Sequence, residues 1–393
     1  MTCHYSVIQF FFWFAFGNIL NFASVYLLDA GMTNTQVGVF SAAACAFTVL
    51  IQPFLAAYAD RPDSVSLKTI ISAFVGGEVL LGFLLLLGNQ ENVMVTGVLY
   101  AGAILITQIL TPFINALGTE SARQGGKVDF SVARGIGSVG YAVMAYSMGR
   151  LLDHMGSSVH PISMMLVSTA LLISVITYPF QQEKFEKKEI GKKETRKNET
   201  GKNIGSATAF WKKYPSFGWI LAGCVLIYVS HIFLNTFTYQ ITVDKGGGSA
   251  EMGTAMAIAA GAEIITMMLF GVLLKKKGVQ FWFRLSGIFF TLKTLGTLLA
   301  PNISTFYGVQ IFQILGWGLM AVASVYYVDS IMETEDKVKG QTYMTMTYTI
   351  ASILGSLFGG RLLDWSGVQG MLIVGTAAGA IGTVMVICTR DSD

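Results

Sequence analysis

The chain has 393 residues, of which 53% are hydrophobic and only 12% are charged, and its formal net charge is +3. Soluble globular domains carry about 25% charged residues. This composition, with a mean hydropathy of +0.58, therefore excludes an ordinary soluble protein and predicts an α-helical membrane protein. The small net charge gives no support to nucleic-acid binding.

Runs of about 20 apolar residues, the length that crosses about 30 Å of hydrocarbon, recur along the whole chain. The first run does not read as a cleaved signal peptide, because no basic segment precedes it and it stays apolar for too long. The runs predict twelve membrane-spanning helices, at approximately 6–29, 35–58, 67–88, 93–117, 131–152, 159–180, 216–242, 250–274, 280–300, 303–328, 341–363 and 368–388.

Basic residues fall in alternate connections between these spans, and this asymmetry predicts the orientation in the membrane. One set of connections carries Arg61, Lys68, Arg123, Lys127, the stretch 182–213, Lys275–Lys277, Lys337 and Lys339. The other set carries almost no basic residues. Because Lys and Arg concentrate on the cytoplasmic side, we expect a multi-pass protein of the cytoplasmic (inner) membrane with both termini in the cytoplasm.

The segment 181–213 interrupts the apolar pattern with many Lys and Glu residues. Such a composition is typical of a solvated linker near anionic headgroups. The segment lacks the apolar face that a calmodulin-type or other partner-binding helix would need. We therefore predict an N-terminal six-helix bundle at 1–180, a charged cytoplasmic linker at 181–213 and a C-terminal six-helix bundle at 214–393.

The two predicted bundles contain a repeat. The sequence Gly-Arg-Leu-Leu-Asp closes the fifth span at 149–153 and the eleventh span at 360–364, an offset of 211 residues (360 − 149). Gly38 and Gly253 start equivalent stretches of the second and eighth spans, at an offset of 215 residues (253 − 38). Duplicated six-helix bundles related by an axis normal to the membrane are the architecture of major facilitator transporters, with the substrate site between the halves.

Ionisable residues inside the spans mark candidate functional positions, because a charge in hydrocarbon costs several kcal/mol. They are Glu78, His231, Glu263 and Lys293, and Arg134 lies at the head of the fifth span. Lys293 lies about 22 Å beyond the preceding basic loop, at 1.5 Å per residue, which is too deep for easy snorkelling. Arg134 is either a snorkelling interface residue or part of a polar site.

Each of these residues also has a structural interpretation, and the sequence leaves both open. Glu263 and Lys293 could form an ion pair that locks neighbouring helices. His231 could be a neutral imidazole bonded to a nearby carbonyl group, or a substrate or proton group. Glu78 could be a gating carboxylate or a buried structural acid.

Uncharged polar residues within the spans, Asn235 and Gln313 among them, suit either interhelical hydrogen bonds or ligand contacts. Together with the Trp and Tyr residues they favour a polar, ring-bearing solute. No P-loop, HExxH motif, nucleophile elbow or Cys/His cluster occurs. We therefore expect neither an ATP-driven pump nor a membrane enzyme, and no cofactor or metal site.

Four stretches carry a family resemblance: Gln52-Pro53 followed by Ala59-Asp60-Arg61, Ala133-Arg134 to Gly140-Tyr141, Ser286-Gly287 to Lys293–Gly296, and Asp364–Gly370. They resemble the oligosaccharide/nucleoside–proton symporter branch of the major facilitator superfamily, the group that contains lactose permease and phenylpropionate permease. The resemblance runs across nearly the whole chain. It implies an all-α membrane protein with twelve transmembrane helices in two pseudo-symmetric six-helix bundles.

The resemblance also implies roles for single residues. Arg134 matches the family's sugar-binding arginine on helix five, and Tyr141 matches the aromatic residue that stacks on the sugar ring. Ser138 falls where lactose permease has its substrate-shielded cysteine. Lys293 matches the helix-nine arginine of the proton-coupling network, and Glu263 resembles the helix-eight glutamate.

Several family positions carry different residues here. The helix-four carboxylate that pairs with the arginine falls on Ala116, and Glu120 one turn further on is the nearest candidate partner. The helix-ten His and Glu of proton coupling fall on Gln313 and Gly316, and charge pairs of helix seven fall on neutral residues such as Ser230. These departures argue against lactose as the substrate and against the family's complete coupling machinery.

The chain as a whole predicts secondary active transport of a small polar solute (a sugar, a nucleoside or a related organic molecule), coupled to protons, by alternating access. A facilitator or a drug or metabolite exporter of the same fold is the alternative, and a transporter-like sensor is a third interpretation. The expected substrate contacts are Arg134, Ser138, Tyr141, His231, Asn235 and Gln313, and the expected coupling or gating residues are Glu78, Glu120, Glu263 and Lys293. We expect a monomer whose partners are the solute, protons and the lipid bilayer.

Overall fold

Helices form every regular element of the chain that the structure shows. The structure is a computed structural model that describes residues 1–59, 61, 64–88, 92–123, 128–179, 210–333 and 335–389, and no strand forms in these residues. The predicted linker lies outside them except for residues 210–213, as do Asp60 and Lys127. The helices are α1 (Thr2–Asn21), α2 (Ala23–Asp29), α3 (Asn34–Ala59), α4 (Leu67–Leu87), α5 (Val93–Arg123), α6 (Phe130–Met155), α7 (Val159–Ile176), α8 (Pro215–Thr236), α9 (Thr238–Asp244), α10 (Ser249–Lys276), α11 (Val279–Leu299), α12 (Ile303–Val309), α13 (Trp317–Ile331) and α14 (Lys337–Cys388).

The helices coincide with the predicted spans, although several spans are broken. The first span comprises α1 and α2, the seventh comprises α8 and α9, and the tenth comprises α12, a 3-10 turn at Gln310–Gln313 and α13. α14 holds the last two spans, which meet at Gly367, where φ is 68°. Eight helical segments of the described chain are long and apolar enough to cross a membrane. Three long helices are not among these eight, namely α6, α10 and α11. They carry Arg134, Glu263 and Lys293 respectively.

Buried apolar clusters lie within each half, and two further clusters contain residues of both halves. In the N-terminal half α1 packs on α6 and α7, and α4 packs on α5 and α7, with Tyr5, Leu110 and Leu171 buried between them. In the C-terminal half α14 packs on α8 and α11, and the stacked rings of Phe283 and Tyr327 lie 4.3 Å apart between α11 and α13. The bounds 1–180 and 214–393 of the two bundles stay a prediction.

The two halves meet along two helix pairs, α6 with α10 and α3 with the first part of α14. Glycines permit both crossings, because a Cβ on Gly253 would collide with the carbonyl group of Ala145 and one on Gly38 with that of Ser356. Both crossings lie at helix ends remote from the chain termini. The halves are therefore closed against each other on the side away from the termini.

The aspartates that end the sequence repeat lie at these crossings. Asp364, from the C-terminal half, accepts hydrogen bonds from the backbone N–H groups of Asn34 (3.2 Å) and Thr35 (2.7 Å) at the start of α3. Its counterpart Asp153, from the N-terminal half, lies beside Gly248, the residue before α10. A carboxylate at a helix N-terminus satisfies unpaired N–H groups and complements the helix dipole. Each repeat thus places an acid at a helix start of the opposite half.

Candidate functional site

A cavity of about 350 Å³ lies between the two halves, on the open side of the glycine crossings. α1, α3, α5 and α6 line it from the N-terminal half, and α8 to α14 line it from the C-terminal half. Its volume falls within the range of small-molecule sites, about 300–1,000 Å³. The polar side chains that line it include Asn21, Gln108, Arg134, Ser138, Tyr141, His231, Asn235, Glu263, Lys293, Gln310, Gln313 and Tyr348.

Arg134 presents its guanidinium group to this cavity. α6 begins one turn earlier, where the side chain of Asp129 accepts a hydrogen bond from the N–H of Val132 (3.0 Å). The guanidinium carbon of Arg134 lies 3.9 Å from the centre of the Trp13 ring, and Nη1 donates to Oγ of Ser138 at 3.1 Å. A planar cation on an aromatic face keeps its N–H edge available. The bond to Ser138 uses one of the five N–H donors of Arg134, and the others donate to no acceptor in the described chain.

Two further contacts fix the aromatic side chains around Arg134. The indole N–H of Trp13 donates to Oε1 of Gln9 at 2.9 Å, which sets the plane on which the guanidinium lies. The hydroxyl of Tyr141, two turns along α6, accepts a hydrogen bond from Nδ2 of Asn21 at 2.7 Å. α1 thus holds both the aromatic platform and the ring-stacking candidate in place.

A hydrogen-bonded chain of three side chains lies on the C-terminal wall. Nζ of Lys293 donates to Oε1 of Gln313 at 2.6 Å, and Nε2 of Gln313 donates to Oε2 of Glu263 at 3.3 Å. Lys293 is only 5% exposed. No ion pair within 4.0 Å joins Lys293 to Glu263 in the described chain. The interhelical ion pair suggested by the sequence is therefore replaced by a neutral amide that contacts both charges.

His231 lies on the same wall, within a cluster of aromatic rings. Its Nε2 lies 3.0 Å from Nδ2 of Asn235, and its ring stacks on Trp317 at 5.0 Å and 13°. An amide N–H can only donate, so Nε2 accepts and the proton of the neutral ring is on Nδ1. That Nδ1 is buried without a partner among the described residues.

Two of the predicted coupling residues lie away from the cavity. Glu78 is buried between α4, α5 and α7, where its carboxyl oxygens accept hydrogen bonds from Thr107 (2.7 Å) and Ser168 (3.0 Å). Glu120 forms an ion pair with Arg123 at 2.7 Å. Neither residue lines the cavity, whereas the other eight predicted site residues do.

Some cavity residues were absent from the predicted site. The cavity wall also includes side chains that the sequence did not predict, namely Trp13, Gln108, Trp317 and Tyr348. A signal existed for Trp13, since Gln9 lies four residues earlier in an apolar helix and an amide there needs a partner. The others share their residue type with many interhelical contacts, so the sequence alone does not separate them.

Solved structures of transporters share this fold. The nucleoside transporter NupG aligns with a TM-score of 0.77 at 14% identity, over 98% of this chain and 97% of that one. A bacterial homologue of the iron transporter ferroportin aligns with a TM-score of 0.71 at 13% identity, over 98% and 97%. A variant of the peptide transporter POT gives 0.70 at 11%, over 98% and 93%. Such low identities show the fold and leave the substrate open.

The amino-acid sequence also matches a transporter family. The model of the MFS_1 like family matches residues 2–374, which is nearly the whole chain. No curated protein sequence matches the chain. The predicted all-α facilitator fold is confirmed. The chain belongs to the MFS_1 like family, and it is a multi-pass membrane transporter of the major facilitator type rather than an enzyme.

Proposed function

We propose that the chain carries a small polar solute, such as a sugar or nucleoside, across the cytoplasmic membrane by alternating access, coupled to protons. The observation that supports this most is the cavity between the halves, where charged and aromatic side chains meet at one place. A monomer of two bundles rocking about that cavity suffices for transport. Glycine crossings on one side are the contacts that must separate when the cavity opens the other way.

Substrate contacts are assigned to both walls. Arg134 and Ser138 offer hydrogen bonds from α6, and the Tyr141 ring offers a stacking face. Asn235 and Gln313 offer amides from the C-terminal wall, where His231 lies between Asn235 and Trp317. A solute that contacts both walls draws the halves together, which is how binding energy favours the occluded state.

Proton coupling is assigned to Glu263, with Lys293 and Gln313 as the groups that respond to its charge. Protonation of Glu263 removes the acceptor charge that the Gln313 amide faces, and thus changes the electrostatics of Lys293 beyond it. The carboxyl group lines the cavity, so it can exchange protons with the side that is open. Glu78 has no such access in this conformation because it is buried within the N-terminal half.

The Lys and Arg asymmetry supports an orientation with both termini in the cytoplasm. With that orientation the glycine crossings lie on the outer side, and this conformation is closed to the outside. Lys213, at the end of the linker, forms ion pairs with Glu333 (2.9 Å) and Asp336 (2.8 Å). These contacts would then lie on the cytoplasmic face.

Uptake by purified protein in liposomes tests the proposal. Solute entry is measured with and without an inwardly directed proton gradient, for the wild type, Glu263→Gln and Glu78→Gln. We expect Glu263→Gln to lose the response to the gradient, while Glu78→Gln, the same change at a carboxyl group outside the cavity, keeps it. If both variants keep the response, coupling through Glu263 is wrong, and a wild type that never responds contradicts proton coupling altogether.

A further inference from the structure

The charges that line the cavity do not balance. Among the described residues of its walls, the charged side chains are Arg134 and Lys293, which are cationic, and Glu263, which is the one carboxyl group. Glu263 lies within electrostatic range of both cations. It can neutralise one of them at most. When Glu263 takes up a proton, the cavity holds two positive charges and no negative one.

Arg134 lacks a counter-charge in its own half. Glu120 is bound to Arg123 at 2.7 Å. No carboxyl oxygen lies within 4.0 Å of the Arg134 guanidinium in the part of the chain that the structure covers. Its contacts are the Trp13 ring and the hydroxyl of Ser138, both neutral.

Lys293, the second cation, also lacks a negatively charged partner among the described residues, and it lies on the opposite wall. The partner of the Lys293 ammonium group is the neutral Oε1 of Gln313, at 2.6 Å. Truncating the negative partner of a buried charge pair is costly, because the remaining charge stays desolvated. A transporter whose site closes on both sides buries these cations in each cycle. It would bear the free-energy cost of two unpaired charges unless an anion is enclosed with them.

We propose that the transported solute is an organic carboxylate, and that it supplies the negative charge missing beside Arg134. This inference rests on the proposed transport function and, among small polar solutes, favours an acid over a neutral sugar or nucleoside. The planar guanidinium of Arg134 offers two parallel N–H groups, which match the two oxygens of a carboxylate. The Tyr141 ring, one wall of the same pocket, packs on the body of the solute. Lys293 then attracts the bound anion from the other half.

This arrangement makes closure depend on the solute's charge. Arg134 belongs to the N-terminal half and Lys293 to the C-terminal half, so an anion between them is attracted by both. A neutral solute of the same shape fills the space but leaves both cations without a counter-ion. Charge-assisted hydrogen bonds are roughly twice as strong as neutral ones, so we expect a preference of about tenfold or more for the anion.

Matched ligand pairs test the proposal on the purified protein in nanodiscs. In each pair a neutral group replaces the carboxylate: hydroxymethyl in glucose for glucuronate, hydrogen in uracil for orotate, and carboxamide in nicotinamide for nicotinate. Dissociation constants are measured by calorimetry and supported by thermal-shift titration. We expect one pair or more in which the carboxylate binds at least about tenfold more tightly than its neutral partner.

Two variants assign the preference to Arg134. Arg134→Gln should abolish it, so that both members of the pair bind equally weakly. Arg150→Gln is the matched control, because Arg150 lies on the same helix with its guanidinium 3.7 Å over the Tyr146 ring and is exposed away from the cavity. The control should keep the preference. If Arg134→Gln unfolds in thermal scans, Lys293→Gln replaces it, with the same loss of preference expected.

The outcomes separate this inference from the transport proposal. Equal or tighter binding of the neutral members overturns the carboxylate assignment and leaves transport of a polar solute intact. A panel in which no carboxylate binds also overturns it. A carboxylate that binds with the expected preference but never crosses the liposome membrane supports the site and contradicts the transport function.

Discussion

The stacking of Arg134 on Trp13 answers a question that the sequence leaves open. Position near a helix start allowed the guanidinium to reach either the headgroups or a polar site. The structure places the guanidinium carbon over the Trp13 ring, 3.9 Å from its centre, on the wall of the cavity. A cation over an indole face gains about 0.5–2 kcal/mol depending on solvation, and within the described chain the guanidinium donates a hydrogen bond to Ser138 alone. Arg134 therefore combines stable placement with exposed donors.

Arg134→Lys tests whether the fork of parallel donors matters. A lysine keeps the positive charge but has a single ammonium group that cannot bind an oxygen pair side by side or stack flat on Trp13. We expect solute affinity to fall by about tenfold or more while the protein remains folded. Binding measurements and thermal scans of both proteins check this, and unchanged affinity would show that charge alone suffices.

Gln313 is the residue that joins the two charges of the C-terminal wall. Gln313→Leu removes both hydrogen bonds and leaves Lys293 and Glu263 without their shared partner, at a cost of about 1–3 kcal/mol per buried group. We expect lower thermal stability and loss of gradient-driven uptake. Gln310→Leu is the comparison, since Nε2 of Gln310 donates to the backbone oxygen of Phe306 at 3.2 Å and touches neither charge. Equal effects of the two changes would contradict the bridging role.

The sequence identified the charged residues inside apolar spans, but it did not identify the residues that contact them. Arg134, Glu263 and Lys293 stood out because charges in apolar spans are costly, and the structure brings them to one cavity. Glu78 stood out for the same reason, yet two hydroxyl groups hold it in another part of the fold. Hydropathy registers the cost of a buried charge, but the residue that offsets it comes from a distant helix. Their functional roles stay predictions.

At the level of helices, the spans were predictable and their interruptions were not. The first and seventh spans break at Phe22 and Phe237, where no Pro or Gly announces a break. The Pro53 and Pro112 positions, by contrast, lie inside continuous helices. In membranes, neighbouring helices can satisfy the backbone groups that a proline frees. Breaks therefore follow from tertiary packing more than from local propensity.

The α6–α10 crossing gives a test at this scale. Gly253→Ala places a methyl group against the carbonyl of Ala145, so the helices must separate by part of an ångström or more. We expect thermal stability of the closed conformation to fall, with overpacking costs of about 1–3 kcal/mol. Gly261→Ala is the matched control on the same helix, because nothing lies within 4 Å of its added Cβ. The control should be neutral or slightly stabilising. If Gly261→Ala lowers thermal stability more than Gly253→Ala does, α6 and α10 do not cross at Gly253.

Asp364 gives a second test, because its carboxylate caps α3 from the opposite half. Partial burial acts to raise the pKa of Asp364, but hydrogen bonds from Thr35 and Asn34 outweigh it and hold the pKa below its usual value. A lowered pKa means that the cap is fully present above the ordinary aspartate pKa of about 3.9 and is lost as pH falls through the lower, folded value. The cap is therefore intact at neutral pH.

Asp364→Asn should weaken this contact by about 1 kcal/mol, the typical contribution of a helix cap. Hydrogen exchange of the α3 amides at Asn34 and Thr35 should quicken by about fivefold. Asp153→Asn, the equivalent change in the other half, should leave these two amides unchanged. If exchange at the start of α3 does not respond to Asp364→Asn, the carboxylate does not hold the halves together.

At the scale of the molecule, closure on one side predicts sided access to the cavity. Cys45 lines the cavity, with its thiol 3.3 Å from Nε2 of Gln108. Of the other cysteines, Cys224 is buried, while Cys3 and Cys388 are exposed near the chain ends. In a protein with Cys3→Ser and Cys388→Ser, Cys45 is thus a native reporter of which side the cavity faces.

In oriented membrane vesicles, an impermeant thiol reagent should label Cys45 much faster from the side of the termini than from the opposite side. The reason is geometric, since the glycine crossings and the Asp364 cap lie between Cys45 and the opposite side. Adding Asp364→Asn should raise labelling from that side, because each kcal/mol removed from the closed state increases its opening about fivefold. A bound carboxylate solute should slow labelling from both sides by filling the cavity. Faster labelling from the opposite side would mean that the closed face is open in the membrane, and the proposed alternating-access cycle would then start from the other conformation.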